Sequence, residues 1–391
     1  MFLAPVLKLM AEKKASDLFV SAGAPVSIKI QGNIMPLNQQ VIDPESARKI
    51  VYELMSERNI RDFEETRECN FSFVLRDVGR FRINVFRQRG NVAMVVRYLT
   101  SGTPGFEKLH LPMLLKDLVM EKRGLVLVVG ATGSGKSTTL AAMIEHRNFT
   151  KSGHILTVED PMEFVFKNDK CVINQREVGI DTASYESALV NAMREAPDVM
   201  MIGEIRDRQT LQHALLYAQT GHLCMSTLHA NNSYHTLSRI INFFPLDVRP
   251  AVLADIAISL RCIISQRLVR SIDGSQLVAV EVLLNTKHIA DLIRKGEIDQ
   301  IKDAMEQSIS AGSVTFEQAL FKLFQKGLIS KDEAIRNSDS ATNLAWMINN
   351  AEQKAAGRLG ESSTGRLQMT SDGGYSFSEI RLNVGDDAKP T

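Results

Sequence analysis

Leu125-Val-Leu-Val-Val129 runs directly into Gly130-Ala-Thr-Gly-Ser-Gly-Lys-Ser-Thr138, and the reading of this stretch decides the fold. Five apolar residues, a glycine-rich turn and a helical pattern after it predict strand, loop and helix, the setting that a Walker A phosphate loop requires. The first turn of such a helix leaves backbone N–H groups free to face an anion. Gly130, Gly133 and Gly135 let the chain wrap phosphates without Cβ clashes, and Thr132, Ser134 and Thr138 belong to the same binding loop. Lys136 is expected to reach the β- and γ-phosphates of ATP, and Ser137 to ligate Mg2+.

The chain has 391 residues, enough for two or three domains, and 44% of them are hydrophobic, as in ordinary globular proteins. Lys and Arg (46) nearly balance Asp and Glu (45), so no global field draws the chain to nucleic acid or to anionic lipid. Cys69, Cys171, Cys224 and Cys262 form no C-x-x-C pair, which argues for reduced thiols, a cytoplasmic location and no zinc site. No apolar run is long enough to span a membrane, and the N-terminal MFLAPVLKLMAEKK reads as an amphipathic first helix rather than a signal peptide.

Turn formers concentrate at Thr100-Ser-Gly-Thr-Pro-Gly105, and residues 101–111 are taken as an interdomain linker. Before it, short strands at 17–20, 26–30 and 34–37, helices over 43–66, and strands at 70–76, 80–89 and 91–99 predict an α+β domain over residues 1–100. Gln31-Gly32-Asn33 is read as a hairpin turn. Phe81, Ile83 and Val85 alternate with Arg80, Arg82 and Asn84, which predicts one buried and one solvated face. From 112 to 285 strands alternate with helices (strands 124–129, 154–159, 198–203 and 222–228; helices 136–149, 184–194 and 207–220), the signature of an α/β core with a mostly parallel sheet. Residues 286–353 read as helical only, and 354–391 carry the composition of a disordered tail.

Three constellations fall at strand ends of the same core. Ile155-Leu-Thr-Val-Glu159-Asp160-Pro-Met-Glu163 empties an apolar strand into three carboxylates, one of which can orient or deprotonate a water attacking the γ-phosphate. Asp198-Val-Met-Met-Ile-Gly-Glu204 ends in an acid, as a Walker B strand does, and Glu204 is expected to hold Mg2+ through water. His222 and His229 bracket the next strand and are taken as part of the nucleotide site.

Together these motifs resemble the secretion ATPase superfamily of type II secretion and type IV pili. More narrowly, Ser16-Asp-Leu-Phe19, Gly79-Arg-Phe-Arg-Ile-Asn84, Gln175-Arg-Glu-Val178 and Thr227-Leu-His229 look like the PilT/PilU family of pilus retraction ATPases, and Gly221–Asn232 and Ala290–Gly296 look nearest its PilU branch. The resemblance implies a RecA-like ATPase core, a PAS-like N-terminal domain and a homo-hexameric ring at the inner-membrane base of a pilus, driving retraction and twitching motility. It implies Glu163 as catalytic glutamate, Glu204 as Walker B glutamate, and His222 and His229 as histidine box. It also brings Arg80, Arg82 and Arg97 near a nucleotide, although a solvated strand face carrying cations stays open for each; Arg194 and Arg206 are weaker candidates.

The PilT-type segment Ala-Ile-Arg-Asn-Leu-Ile-Arg-Glu reads here His288-Ile-Ala-Asp-Leu-Ile-Arg-Lys295, placing Ala290 for an arginine and Lys295 for an acid. Such changes on an exposed helix alter partner contacts more than folding. The expectation is an accessory motor acting with a PilT-like ATPase and a PilC-like platform protein. A pilus-extension or type II secretion assembly ATPase, and a nucleotide-gated scaffold, are the alternatives. A DNA translocase is disfavoured by near-neutral charge and a single Trp.

Overall fold

A computed structural model of the chain describes residues 3–30, 32–99, 103–307 and 312–355. The chain divides by compactness into two units, residues 1–339 and 340–391. That break falls inside the expected helical segment 286–353, and both sheets belong to the first unit.

The first unit begins with α1 (Ala4–Glu12), β1 (Asp17–Ser21), β2 (Pro25–Ile30), β3 (Asn33–Val41), α2 (Pro44–Tyr52), α3 (Glu57–Thr66), β4 (Glu68–Leu75), β5 (Gly79–Gln88) and β6 (Asn91–Leu99). The six strands form an antiparallel sheet in the order β3-β2-β1-β6-β5-β4. Asp43 and Ser56 cap α2 and α3 by accepting from the first free backbone N–H groups. Gly32, at φ +85°, supplies the left-handed residue of the expected hairpin, and Ile30 pairs with Asn33 across it. Gln31 itself lies outside the described residues. Phe81, Ile83 and Val85 are fully buried against α1, α2 and α3 side chains in one core.

On the opposite face of β5 the expected solvated surface holds at Arg97, whose side chain is 61% exposed, and fails at Arg80. Arg80 is mostly buried, and its guanidinium donates to Glu177 of the second sheet at 2.6 Å and to Ser72 at 3.3 Å. Arg82 stands two residues on and Arg97 lies opposite Arg82 in the register, so all three cations share this face. Asp17, itself 5% exposed, accepts from Arg97 at 2.9 Å.

The core follows: α4 (Leu114–Val119), β7 (Gly124–Gly130), α5 (Lys136–Thr150), β8 (Gly153–Glu159), β9 (Cys171–Glu177), α6 (Tyr185–Ala192), β10 (Val199–Glu204), α7 (Arg208–Gln219), β11 (Leu223–Leu228), α8 (Ser233–Asn242), α9 (Arg249–Ser259), β12 (Leu260–Arg270) and β13 (Gln276–Leu284). Its sheet has the order β13-β12-β7-β11-β10-β8-β9, with β13 antiparallel to β12 and every other pair parallel. β7 shows why the run Leu125–Val129 has no polar face: Leu125, Leu127 and Val129 enter one core layer and Val126 and Val128 the other. Phe106 and Leu111, from the expected linker, are buried in the second layer, while residues 100–102 lie outside the described residues.

β9, β12 and β13 were absent from the strands expected above. β12 starts where α9 ends, with no turn formers between them, and β9 is a polar edge strand, so neither carries punctuation. Beyond β13 come α10 (Lys287–Lys295), α11 (Ile301–Glu306), α12 (Phe316–Gln325) and α13 (Lys331–Arg336), and an isolated bridge joins Val282 to Val314. In α10 Leu292 and Ile293 are buried while Arg294 and Lys295 are exposed. The second unit is described through α14 (Ala341–Ala355), which carries helix two residues into the expected tail; the rest of 354–391 lies outside the described residues.

The Arg80–Glu177 pair generates a stability prediction. Arg80→Ala leaves a buried carboxylate without its cation and is expected to lower the unfolding free energy by about 3 kcal/mol in urea denaturation. A loss below about 0.5 kcal/mol, the scale of a surface substitution, would show that the pair is not holding the two sheets together.

Candidate active site

Gly130 ends β7 at φ +154°, where a Cβ would stand 2.6 Å from the Gln266 carbonyl oxygen and 2.4 Å from Ser134 Oγ, so no side chain fits. Gly133 and Gly135 take φ +80° and +88°, and Gly135 turns the chain into α5. The loop therefore aims the first N–H groups of α5 outward from the carboxyl end of the sheet. Lys136, 8% exposed, donates from Nζ to the carbonyls of Gly130 (3.0 Å) and Ala131 (2.9 Å) and stands 3.4 Å from His229 Nδ1. Burial holds its ammonium below the ordinary lysine value, against the pull of Glu204 and Glu163.

Three neighbouring strand ends meet this loop. Glu163, in the loop after β8, accepts from Ser137 Oγ at 3.0 Å. Glu204, at the end of β10, accepts from Arg206 Nε at 2.7 Å and lies 3.1 Å from His229 Nε2, just beyond β11. Arg206 NH1 lies 3.5 Å from Asp160. Glu159 is 7% exposed, and its Oε1 accepts from Thr157 Oγ1 (2.8 Å) and Gln175 Nε2 (3.2 Å). Burial pushes the Glu159 carboxyl up to about 7, the two hydrogen bonds opposing it.

These groups line one cleft of about 400 Å³, walled by Thr132, Gly133, Gly135, Lys136, Ser137, Thr138, Glu159, Asp160, Glu163, Glu204 and His229 among the expected residues. Gly130 and Ser134 shape the loop from behind it. Tyr185, Arg206 and Thr227 also line the cleft. Arg206 is among the weaker candidates above and Thr227 belongs to a motif quoted for the resemblance, whereas Tyr185 carries no such signal. Tyr185 opens α6 after a Ser184 cap, a pattern that marks a helix start and says nothing of a site.

Four expected residues, and with them the weaker candidate Arg194, which donates to Asn191 instead, are not brought to the cleft within the chain. His222 is a correction: it precedes β11 whereas His229 follows it, so six residues of strand, about 20 Å, separate them. His222 instead packs edge-on against Tyr217, with Nδ1 3.2 Å from Thr220 Oγ1. Two histidines bracketing a strand cannot share one end of it. Arg80, Arg82 and Arg97 stay on the N-terminal sheet; Arg80 reaches only the back of the acidic loop, where NH1 lies 3.5 Å from Met162 Sδ.

A glycine-rich loop with its lysine between β7 and α5, and acids at the ends of the adjoining parallel strands, define a P-loop ATPase. The chain belongs to the Type II/IV secretion system protein family, whose profile matches residues 1–336. It is 47% identical to the type IV pilus ATPase PilU of Pseudomonas aeruginosa PAO1, over 94% of this chain and 97% of that one. The type IV pilus retraction ATPase PilT of the same organism is 40% identical over 84% of this chain and 96% of its own. A crystal structure of the pilus retraction motor PilT with bound ADP superposes with a TM-score of 0.82 at 43% identity, covering 88% of this chain and 99% of that one. The chain is thus a PilU-like ATP-hydrolysing member of the family, related to the PilT retraction motor, with a secretion-ATPase fold. No helix among the described residues is long and apolar enough to cross a membrane.

Glu159 gives a pH prediction. Its folded value, about 7, lies above its ordinary 4.5, so folding is penalised as pH rises through that window. Glu159→Gln keeps an oxygen for Thr157 and removes the charge. The variant is expected to match wild type in melting temperature below about pH 4.5, gain between about 4.5 and 7, and hold that gain above. A pH-independent difference would contradict the assignment.

Proposed function

We propose that this chain is a hexameric ATP-driven motor of type IV pilus retraction, serving twitching motility as an accessory to a PilT-like ATPase at a PilC-like inner-membrane platform protein. The observation that carries the reading is the convergence of Lys136, Ser137, Glu163, Glu204 and His229 on one cleft, in a chain so similar to PilU and PilT. On this reading the mixed sheet is a RecA-like core, the antiparallel sheet a PAS-like domain, and residues 1–100, 101–111, 112–285 and 286–353 are domain, linker, core and helical subdomain. The protein would work in the cytoplasm, peripheral to the inner membrane.

The charge of the cleft says what else it needs. Lys136 and Arg206 face four carboxyls, Glu159, Asp160, Glu163 and Glu204, so the lining cannot by itself neutralise a triphosphate. Mg2+ fits: Ser137 Oγ stands beside the carboxylates, and Glu204 on the next strand end offers a further oxygen through water. The ion would neutralise phosphate charge. Arg82 and Arg97 share a face of the N-terminal sheet with Arg80, and we assign these two to the nucleotide of a neighbouring protomer in the ring, Arg80 being held by Glu177 of its own chain. Lys136 grips the β- and γ-phosphates, Glu163 takes the proton of the attacking water, and loss of the γ-phosphate lets the N-terminal domain move about the 101–111 linker. Lys295, which departs from the PilT-type segment, is exposed on α10, and we assign it to a contact with the partner; Ala290, the other departure, is half-buried against the core.

Lys136→Ala is expected to lose nucleotide affinity, while Glu163→Gln keeps affinity within about twofold and loses turnover by about 100-fold or more. Full hydrolysis by Glu163→Gln would remove it as the base. Steady-state turnover and oligomeric mass of the purified chain, with and without a PilT-like ATPase, test the accessory role: a hexamer whose turnover depends on the partner supports it, and turnover and mass indifferent to the partner would overturn it.

A further inference from the structure

β10 and β11 do not stay in step to the edge of the sheet. Ile202 pairs with Ser226 and Glu204 with Thr227, so β10 takes two residues where β11 takes one, and Gly203 is the extra residue of a β-bulge. Partners in register across a parallel ladder point to the same side of the sheet. Thr227 pairs with Val128, which belongs to the layer packed on α5, and Thr227 lines the cleft. Glu204, opposite Thr227, therefore faces the cleft too. An unbroken ladder would set Glu204 opposite Leu228, which is fully buried in the other layer with Ile202 and Val129. The bulge turns this carboxylate out of that layer and toward the nucleotide.

A bulge disrupts the ladder locally, and buried carbonyls at such a place need donors. β11 supplies them from its side chains. Ser226 Oγ donates to the Ile202 carbonyl at 2.7 Å, and Thr227 Oγ1 donates to the carbonyl of Gly203 itself at 2.6 Å. Ile205 N closes the bulge on its far side by donating to the Thr227 carbonyl at 2.9 Å. On the flank toward β8 a Cβ at Gly203 would stand 3.3 Å from Glu159 Cα and 3.4 Å from the Val158 carbonyl oxygen, so the bulged residue is one with no side chain. The Thr227 hydroxyl thus holds the peptide group that joins Gly203 to Glu204. Beyond that peptide the Glu204 carboxylate meets Arg206 Nε and His229 Nε2.

We infer that Thr227 is a positioning residue for ATP hydrolysis: its hydroxyl fixes the Gly203–Glu204 peptide in the bulged conformation and so sets the direction in which Glu204 enters the cleft. Thr227 acts through Glu204 and not on the nucleotide. The inference rests on the ATPase reading and adds to it the device that aims one of its two acids, where a small misplacement of the carboxylate is enough to slow the reaction.

Thr227→Val keeps the branched shape and deletes the donor. In the full-length protein, assayed well below the melting temperature of every variant, its kcat is expected to fall about tenfold or more while KM and the affinity for ADP stay within about twofold. Thr227→Ser keeps a hydroxyl and is expected to recover most of that loss. In a Glu204→Gln chain, followed by single turnover, the same Thr227→Val change is expected to slow hydrolysis less than about twofold, because the carboxylate it aims is already gone. A crystal structure of Thr227→Val is expected to show Glu204 out of hydrogen-bond reach of His229. Glu204 unmoved, equal losses in the two backgrounds, or Thr227→Val turnover within about twofold of an active wild type each overturns the inference and leaves the ATPase reading in place. A threonine that only stabilises the fold would lower the melting temperature and spare the kcat of the folded protein, which also overturns it. If Thr227→Val does not fold, Thr227→Ala takes its place with the same expectations. An inactive wild type, pure and folded, would overturn the ATPase reading and the inference with it.

Discussion

Everything at the candidate site depends on register between parallel strands. β7 pairs with β11 as Val129 with Leu228, β11 with β10 as Ser226 with Ile202, and β10 with β8 as Ile202 with Val158. Parallel neighbours end on the same edge, so the phosphate loop, His229, Glu204 and the acidic loop after Glu159 emerge side by side without any long connection reaching across. The same rule removes His222, which lies at the other edge. A slip of one residue would turn each of these side chains to the opposite layer, and the two apolar layers on either side of β7 prevent it.

Charge is arranged around that edge in two tiers. Within the cleft, hydrogen bonds connect acids and bases into short chains: Ser137 to Glu163, and Lys136 through His229 to Glu204 and Arg206. Behind it, Arg80 and Glu177 tie the antiparallel sheet to the last strand of the core, with Ser72 sharing the carboxylate. A carboxylate as buried as Glu177 needs a cation to offset its lost hydration, which is a physical reason for an arginine on what would otherwise be an open strand face. The N-terminal sheet is thus coupled to the strand next to the acidic loop, the placement a motion driven by nucleotide chemistry would use.

The fold and most of the site were legible because their determinants are local. The apolar run at 125–129, the glycines that follow and the acids at the ends of apolar segments announce themselves over a few residues, and β1, β6, β7 and β11 fall within a residue or two of expectation. What stayed hidden depends on partners distant in sequence. β12 passes from α9 without a break, β9 is polar because it borders the sheet, and Arg80 is drawn from solvent by Glu177, 97 residues away. Tyr185 reads as any residue after a serine cap until Gly203 is placed beneath it. The histidine pair misled for a geometric reason, since adjacency in a motif says nothing about which end of a strand each residue occupies.

The account as a whole stands on the claim that four strand ends form one catalytic cleft for a triphosphate. A crystal structure with a nonhydrolysable ATP analogue and Mg2+ tests it most directly. The account predicts the triphosphate wrapped by residues 130–138, with Lys136 Nζ on the γ-phosphate and Glu163 and Glu204 within one water of it. A triphosphate bound elsewhere, or bound in the loop with both carboxylates turned away, would contradict it.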